Sequence, residues 1–222
     1  WGAYDEELFD FHLRDAERPK QPFFHILMTS TSHEPFDAPL DEGFRGGDAQ
    51  LYRNTVHYTD RCLGNFMDQA RKKPWWDSTL VIVVADHGHF LPHYREAYSA
   101  ARHRIPFVLT GGALRAELRG TTNDTYASHV DLAVTLLHQL HLPTERFTWS
   151  TDLFDPTVNH SAFWTFDEGF GTADSVQTVV WEHVGRRVVE LRDSTRTKDR
   201  ERLLQDGKAQ LQVLLDRYIG FN

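Results

Sequence analysis

Three short stretches of this 222-residue chain carry side chains that could do chemistry. The first is Asp86-His87-Gly88, placed directly after the apolar run Leu80 to Ala85. A carboxylate and an imidazole side by side can share a divalent cation, because hard oxygen and borderline nitrogen donors suit zinc, manganese or magnesium. Gly88 lets the backbone turn there without crowding an ion. On spacing alone the tripeptide is equally compatible with a helix cap at Asp86 and a packed His87, and two ligands do not complete a site. The second stretch is a run of imidazoles: of 13 histidines, His87, His89, His93 and His103 fall within residues 87–103. Neutral imidazole is the commonest metal ligand, and its protonated form binds oxyanions. The spacing is not His-Glu-x-x-His, so a zincin-type protease is unsupported. The third is His33, preceded by the hydroxyls of Thr29, Ser30, Thr31 and Ser32. That loop suits contact with an oxyanion, or is a Ser/Thr turn beside an exposed histidine.

The elements that must position these residues follow an α/β order. Leu8, Phe9 and Phe11 to Leu13 give residues 1–20 a short apolar face, with Asp5 as a candidate cap. Phe23 to Met28 reads as a buried strand that empties into the His33 loop, closed by Pro35. Apolar residues at Leu51, Tyr58, Cys62, Phe66 and Ala70 predict a helix from Asp48 to about Lys73, stopped by Pro74. Cys62 lies on its apolar stripe and is assigned to the core. Leu80 to Ala85 is apolar on both faces, as a central parallel strand would be. Ligands in open α/β sheets bind beyond the carboxyl ends of such strands, where Asp86 stands. A further strand is expected over Ile105–Thr110 and a helix over His129–Leu140. The tail reads as antiparallel strands at 162–166, 178–182 and 187–191, then a helix over Asp206–Tyr218.

Composition removes several classes. With 24 Lys+Arg against 32 Asp+Glu the formal net charge is −8. Phosphate affinity is mostly cationic charge, so a general nucleic-acid binder is disfavoured. No apolar run approaches the ~20 residues of a membrane helix. The single cysteine excludes an internal disulfide and any multi-cysteine zinc site. A chain that opens on Trp1, with its first methionine at Met28, reads as a piece of a longer polypeptide.

Taken in order, the segments resemble the later half of the sulfatase catalytic domain, in the branch with lipoteichoic acid synthases and related phosphoglycerol transferases. Trp1-Gly2 with Asp5 and Phe9 is similar to the segment before the first strand, and Phe23-Phe24 through His33-x-Pro35-Phe36 to the family's strand and histidine loop. Tyr52 to Phe66, with Tyr58 and Asp60, is similar to the helix before the metal strand, and Ser78 to Gly88 to that strand. Ile105-Pro106-Phe107, Val130-Asp131-Leu132 with Thr135-Leu136-Leu137, and Asp152-Leu153-Phe154 continue the likeness to about residue 155. Gly169-Phe170-Gly171 in the tail is a weaker match.

The resemblance implies an α/β/α sandwich of alkaline-phosphatase-like type over residues 1–157, with a small antiparallel subdomain at 158–222. It implies that Asp86 and His87 bind a divalent ion (Mn, Mg, Zn or Ca) and that His33, with His93 or His103, contacts the substrate's phosphate or sulfate. Asp131 would be structural, capping its helix. The substrate would be an ester of a lipid head group, a glycan or a small molecule, with no nucleic acid involved. The parent would be a membrane-anchored enzyme on the extracytoplasmic face or in the periplasm. The family attacks phosphorus or sulfur with a metal-activated nucleophile and forms a covalent enzyme ester. That nucleophile is a threonine in the phosphoglycerol transferases, or formylglycine made within Cys-x-Pro-x-Arg. Neither it nor the family's acidic metal ligand has a counterpart between Trp1 and Asn222, so both are expected upstream and the isolated chain is expected to be inactive. Two alternatives stand beside this reading: a non-catalytic metal- or anion-binding module, and a self-contained zinc hydrolase on His87, His89, His93 and His103.

Overall fold

Heptad-like spacing of apolar residues builds the core of the first half. A computed structural model describes residues 2–15 and 22–220; Trp1, which opens the first family-like segment, lies outside them. Helix α1 (Asp5–Asp15) carries Asp5, Glu6 and Glu7 in its first turn and His12 and Arg14 in its last, complementing the helix dipole. It buries Phe9 and Leu13 against Tyr58, Cys62, Phe66 and Ala70 of α2 (Asp48–Ala70), with Phe9 stacked on Phe66 at 4.8 Å. Each such fully buried large side chain contributes about 1.5–3 kcal/mol. The Cys62 thiol is buried in this cluster, as its place on the stripe predicts.

Two readings are corrected here. Residues 23–28 form no ladder among the described residues. Phe23 and Leu27 pack on the helical core while Phe24, Ile26 and Met28 are more than three-quarters exposed. The run is apolar on both faces, but among the described residues only the Phe23 and Leu27 face packs on the core. The strand at Leu80–Ala85 is present as β1 (Val81–Val84), yet it pairs antiparallel with β2 (Phe107–Thr110), Val81 opposite Thr110 and Val84 opposite Phe107. Continuous apolar character reports burial on two faces and not strand direction, which is why it misled.

The chain divides into two compact units, Trp1–Arg95 with Ile105–Thr121, and Glu96–Arg104 with Thr122–Asn222. This differs from a boundary after residue 157. Hydrogen bonds show why: the Ala100 amide donates to the Glu190 carboxylate at 3.2 Å, and the Phe163 amide to the Ser128 hydroxyl at 3.2 Å. Both draw earlier segments into the second unit. Its sheet is a meander of β3 (Ala162–Phe166), β4 (Gly169–Ala173), β5 (Thr178–Glu182) and β6 (Arg187–Leu191). Helices α3 (Ala100–His103), α4 (Asp131–Gln139) and α5 (Thr197–Gly220) complete it. Asp131 is buried and structural, accepting from the Ser128 amide and from the Thr151 amide and hydroxyl. The closing helix starts nine residues earlier than its apolar pattern predicts, at Thr197 against Asp206.

Helix α5 lays Leu203, Leu204 and Gly207 on Phe170 and Val179 of the sheet. A Cβ on Gly207 would overlap the Phe170 ring, whereas one on Gly64 of α2 meets nothing within 4 Å. Alanine is favoured over glycine in a helix by about 1 kcal/mol. Gly64→Ala should therefore stabilise the protein by about 0.5–1 kcal/mol. Gly207→Ala should destabilise it by about 1–3 kcal/mol, because overpacking outweighs propensity. Urea unfolding of the two variants checks the opposite signs.

Candidate functional site

Beyond β1 the chain turns through Ala85 into Asp86 and His87. The His87 amide donates to Asp86 Oδ1 at 2.9 Å, which fixes the carboxylate beside the ring. His87 Nδ1 lies 2.9 Å from the Gly88 carbonyl oxygen. A carbonyl only accepts, so Nδ1 carries the proton and Nε2 of the neutral ring keeps its lone pair. That Nε2 stands 3.7 Å from Asp86 Oδ2, with the two side chains 66% and 77% exposed. Two donors on a tetrahedral ion with bonds of 2.0–2.1 Å lie about 3.3–3.4 Å apart. A small rotation of either side chain therefore brings both onto one ion. The donor chemistry fits a divalent metal, and it supplies two ligands. Among the described residues no group of three His, Cys, Asp or Glu side chains could hold a metal ion.

His33 sits on a loop that is pinned from beneath. Asp5 is fully buried at the start of α1. Its Oδ1 accepts from the amides of Ser30 at 3.0 Å and Thr31 at 3.2 Å, and its Oδ2 from the Thr59 hydroxyl of α2 at 2.6 Å. The Asp5 amide in turn donates to the Thr31 hydroxyl oxygen at 3.1 Å. Thr31 is thus a structural hydroxyl. The loop then turns through His33, whose amide donates to the Ser30 carbonyl, and Phe36, whose amide donates to the His33 carbonyl, both at 3.0 Å. Phe36 has φ of +59° and a buried ring. A left-handed backbone costs a bulky residue about 1–2 kcal/mol, offset here by burial of the ring against Tyr52.

Glu34, next to His33, faces two imidazoles: Oε2 lies 3.5 Å from His33 Nδ1, and Oε1 lies 3.1 Å from His89 Nε2. Its carboxyl is held below the ordinary value, first by its own backbone amide and then by His89. His33, Asp86 and His87 are therefore joined through two short links, since His89 follows His87 by two residues. His93 is exposed on the same loop. His103 belongs to the second unit, where Nε2 donates to the Ala97 carbonyl at 2.9 Å and the ring stacks on Trp164 at 5.3 Å. Burial pushes its pKa down, so the neutral form is favoured. The four-histidine zinc site is corrected on these grounds: His89 has both ring nitrogens engaged by Glu34 and Leu91, and His103 is a packed, hydrogen-bonded ring.

Asp5, Glu34 and Tyr52 were not among the predicted site residues. A cap motif signals Asp5, but nothing local shows that its carboxylate reaches residues 30, 31 and 59.

Comparison with known proteins places the chain in a family. The Sulfatase family model matches residues 1–142. The chain belongs to the sulfatase family. It is 26% identical over 232 residues to the lipoteichoic acid synthase of Staphylococcus saprophyticus, covering 96% of this chain and 35% of that protein. To lipoteichoic acid synthase 1 of Bacillus subtilis it is 26% identical over 172 residues, 69% of this chain and 26% of that one. The chain thus spans about a third or less of these relatives. A crystal structure of a protein in the alkaline phosphatase superfamily from Vibrio parahaemolyticus superposes with a TM-score of 0.68 at 26% identity, over 90% of this chain and 52% of that one. The α/β fold class is the one the sequence resemblance implies.

Asp5 holds three donors in a dry environment, and removing it strands all three. Asp5→Ala should destabilise the chain by about 3–5 kcal/mol. It should also expose the Ser30 and Thr31 amides to solvent exchange. Denaturant unfolding with amide exchange by NMR measures both effects.

Proposed function

We propose that this chain supplies two metal ligands, Asp86 and His87, and an oxyanion contact, His33, to a sulfatase-family enzyme that cleaves or transfers phosphate or sulfate esters. The observation that carries the reading is the His87 ring, with Nδ1 held 2.9 Å from the Gly88 carbonyl oxygen and Nε2 3.7 Å from Asp86 Oδ2. A divalent ion bound there would neutralise charge developing on the ester oxygens and favour ionisation of a nucleophile.

The chain's own residues do the rest. Asp86 is oriented by the His87 amide and presents Oδ2 outward. His33 Nδ1 donates to the Glu34 carbonyl oxygen at 3.0 Å, so contact with a substrate oxyanion would use Nε2 and requires the imidazolium form, in which both nitrogens carry a proton. His103 is engaged by the Ala97 carbonyl and the Trp164 ring, so the oxyanion contact in this reading is assigned to His33. The covalent nucleophile and the remaining metal ligands lie in sequence outside this chain. The bare Phe24, Ile26 and Met28 face and the 52% coverage of the Vibrio protein support that division. The substrate is an ester of a lipid head group, glycan or small molecule, and the parent acts on the extracytoplasmic face of a membrane. No described helix here is long and apolar enough to cross one.

Turnover tests the reading. With Mn, Mg, Zn or Ca ions and bis(p-nitrophenyl) phosphate or p-nitrophenyl sulfate, the 222-residue chain should show no activity above its Asp86→Ala variant. The longer polypeptide that includes the upstream region should hydrolyse at least one ester. Its Asp86→Ala and His87→Ala variants should lose about 100-fold or more. Robust turnover by the short chain that survives Asp86→Ala would overturn the proposal.

A further inference from the structure

We propose that His89 is a positioning residue that locks the His33 loop to the Asp86-His87 loop, and so sets the spacing between the oxyanion contact and the metal ligands. The inference deepens the function proposed above and rests on it.

The ring of His89 is fixed on every side. Tyr52 of α2 stacks on one face at 4.6 Å with an interplanar angle of 17°. Phe90 stacks on it at 4.5 Å and 29°. Phe36 meets it edge-on at 5.9 Å. Both nitrogens are committed. The Leu91 amide donates to Nδ1 at 3.0 Å, which requires a lone pair there and places the proton on Nε2. Nε2–H then donates to Glu34 Oε1 at 3.1 Å. The ring is 17% exposed while the Glu34 side chain is 46% exposed, so the ring is shielded and water reaches this charge-assisted bond from the carboxylate side.

The consequence is a chain of three side chains, His89 to Glu34 to His33, that begins two residues from His87. The Leu91 N–H at Nδ1 selects the tautomer, the tautomer selects Glu34, and Glu34 carries that anchor to its neighbour His33, whose Nδ1 donates to the Glu34 carbonyl at 3.0 Å with Oε2 at 3.5 Å. Gln or Asn at residue 89 could make one of these bonds but could not stack on Tyr52. Phe could stack but make neither bond. Histidine does both, which is a specific requirement for a residue that reaches no ligand itself.

Two variants of the 222-residue chain test this. His89→Phe keeps the stacked ring and removes both hydrogen bonds, and Glu34→Ala removes the acceptor from the other side. Unchanged amide protection in α2 certifies the fold of each. In both, exchange of the His33 and Phe36 amides should accelerate about tenfold. Glu34→Gln, which keeps an oxygen for Nε2–H, should fall between wild type and Glu34→Ala. In wild type the ¹⁵N spectrum should show His89 as the Nε2–H tautomer. An acceleration below threefold in both His89→Phe and Glu34→Ala, or the Nδ1–H tautomer, overturns the proposal. Orthophosphate titrated with Mg²⁺ and read at the His33 ring separates the two claims. If wild type binds, His89→Phe should weaken binding about tenfold. If wild type does not bind, as a site completed by upstream sequence allows, amide exchange alone decides the clasp, and turnover by the longer polypeptide carrying His33→Ala decides the oxyanion reading.

Discussion

A carboxylate taken out of water must have its lone pairs answered, and Asp5 meets that demand with donors from two distant places in the chain. Two backbone amides of the His33 loop and one hydroxyl of α2 converge on it from sequence separations of 25, 26 and 54 residues. The loop cannot slide relative to either helix without leaving the charge unpaired, which is among the more expensive failures a protein interior can suffer. The left-handed Phe36 and the Glu34–His89 bond both follow from that fixed point. The first tightens the loop's exit, and the second ties it to the turn after β1.

The candidate metal pair is built on the opposite principle. Asp86 and His87 are exposed and, among the described residues, held by local bonds, a backbone amide on one carboxylate oxygen and a backbone carbonyl on one ring nitrogen. Such a pair is oriented but not buried, so it can accept an ion without first losing a costly interaction. In the proposed function, rigid support beneath His33 and ready donors at Asp86 and His87 would be complementary halves of one site. Tyr52 reaches from α2 to the ring of His89, linking the buried frame to the exposed turn after β1.

Much of this was legible in the sequence, for identifiable reasons. The three-and-four spacing from Leu51 to Ala70 depends on one helix face, and α2 follows it. Asp86-His87-Gly88 stood at a strand's end because the strand's apolar run stops abruptly at Ala85. Other features depended on partners that local pattern cannot reveal. β4 carries Gly169 and Gly171, which weaken any strand signal. They are glycine because the Trp181 carbonyl and the Trp164 ring occupy the space a Cβ would need. The antiparallel pairing of β1 with β2 and the bare face of residues 24–28 depend on which neighbours are present. His103 looked like its fellow histidines until Trp164 and the Ala97 carbonyl were seen around it. The family's motif order added what periodicity could not, and residues 1–142 carry it.

The central claim is that Asp86 and His87 share one divalent ion through Oδ2 and Nε2. The most direct measurement is a Zn²⁺ titration of the ¹⁵N-labelled 222-residue chain, observing every histidine ring nitrogen, with Asp86→Ala beside it. The two-donor site predicts that His87 Nε2 shifts first, with weak affinity, and that Asp86→Ala removes the shift while the Nδ1–H bond to Gly88 persists. Metal binding that moves another histidine first, or that is indifferent to Asp86→Ala, would contradict it.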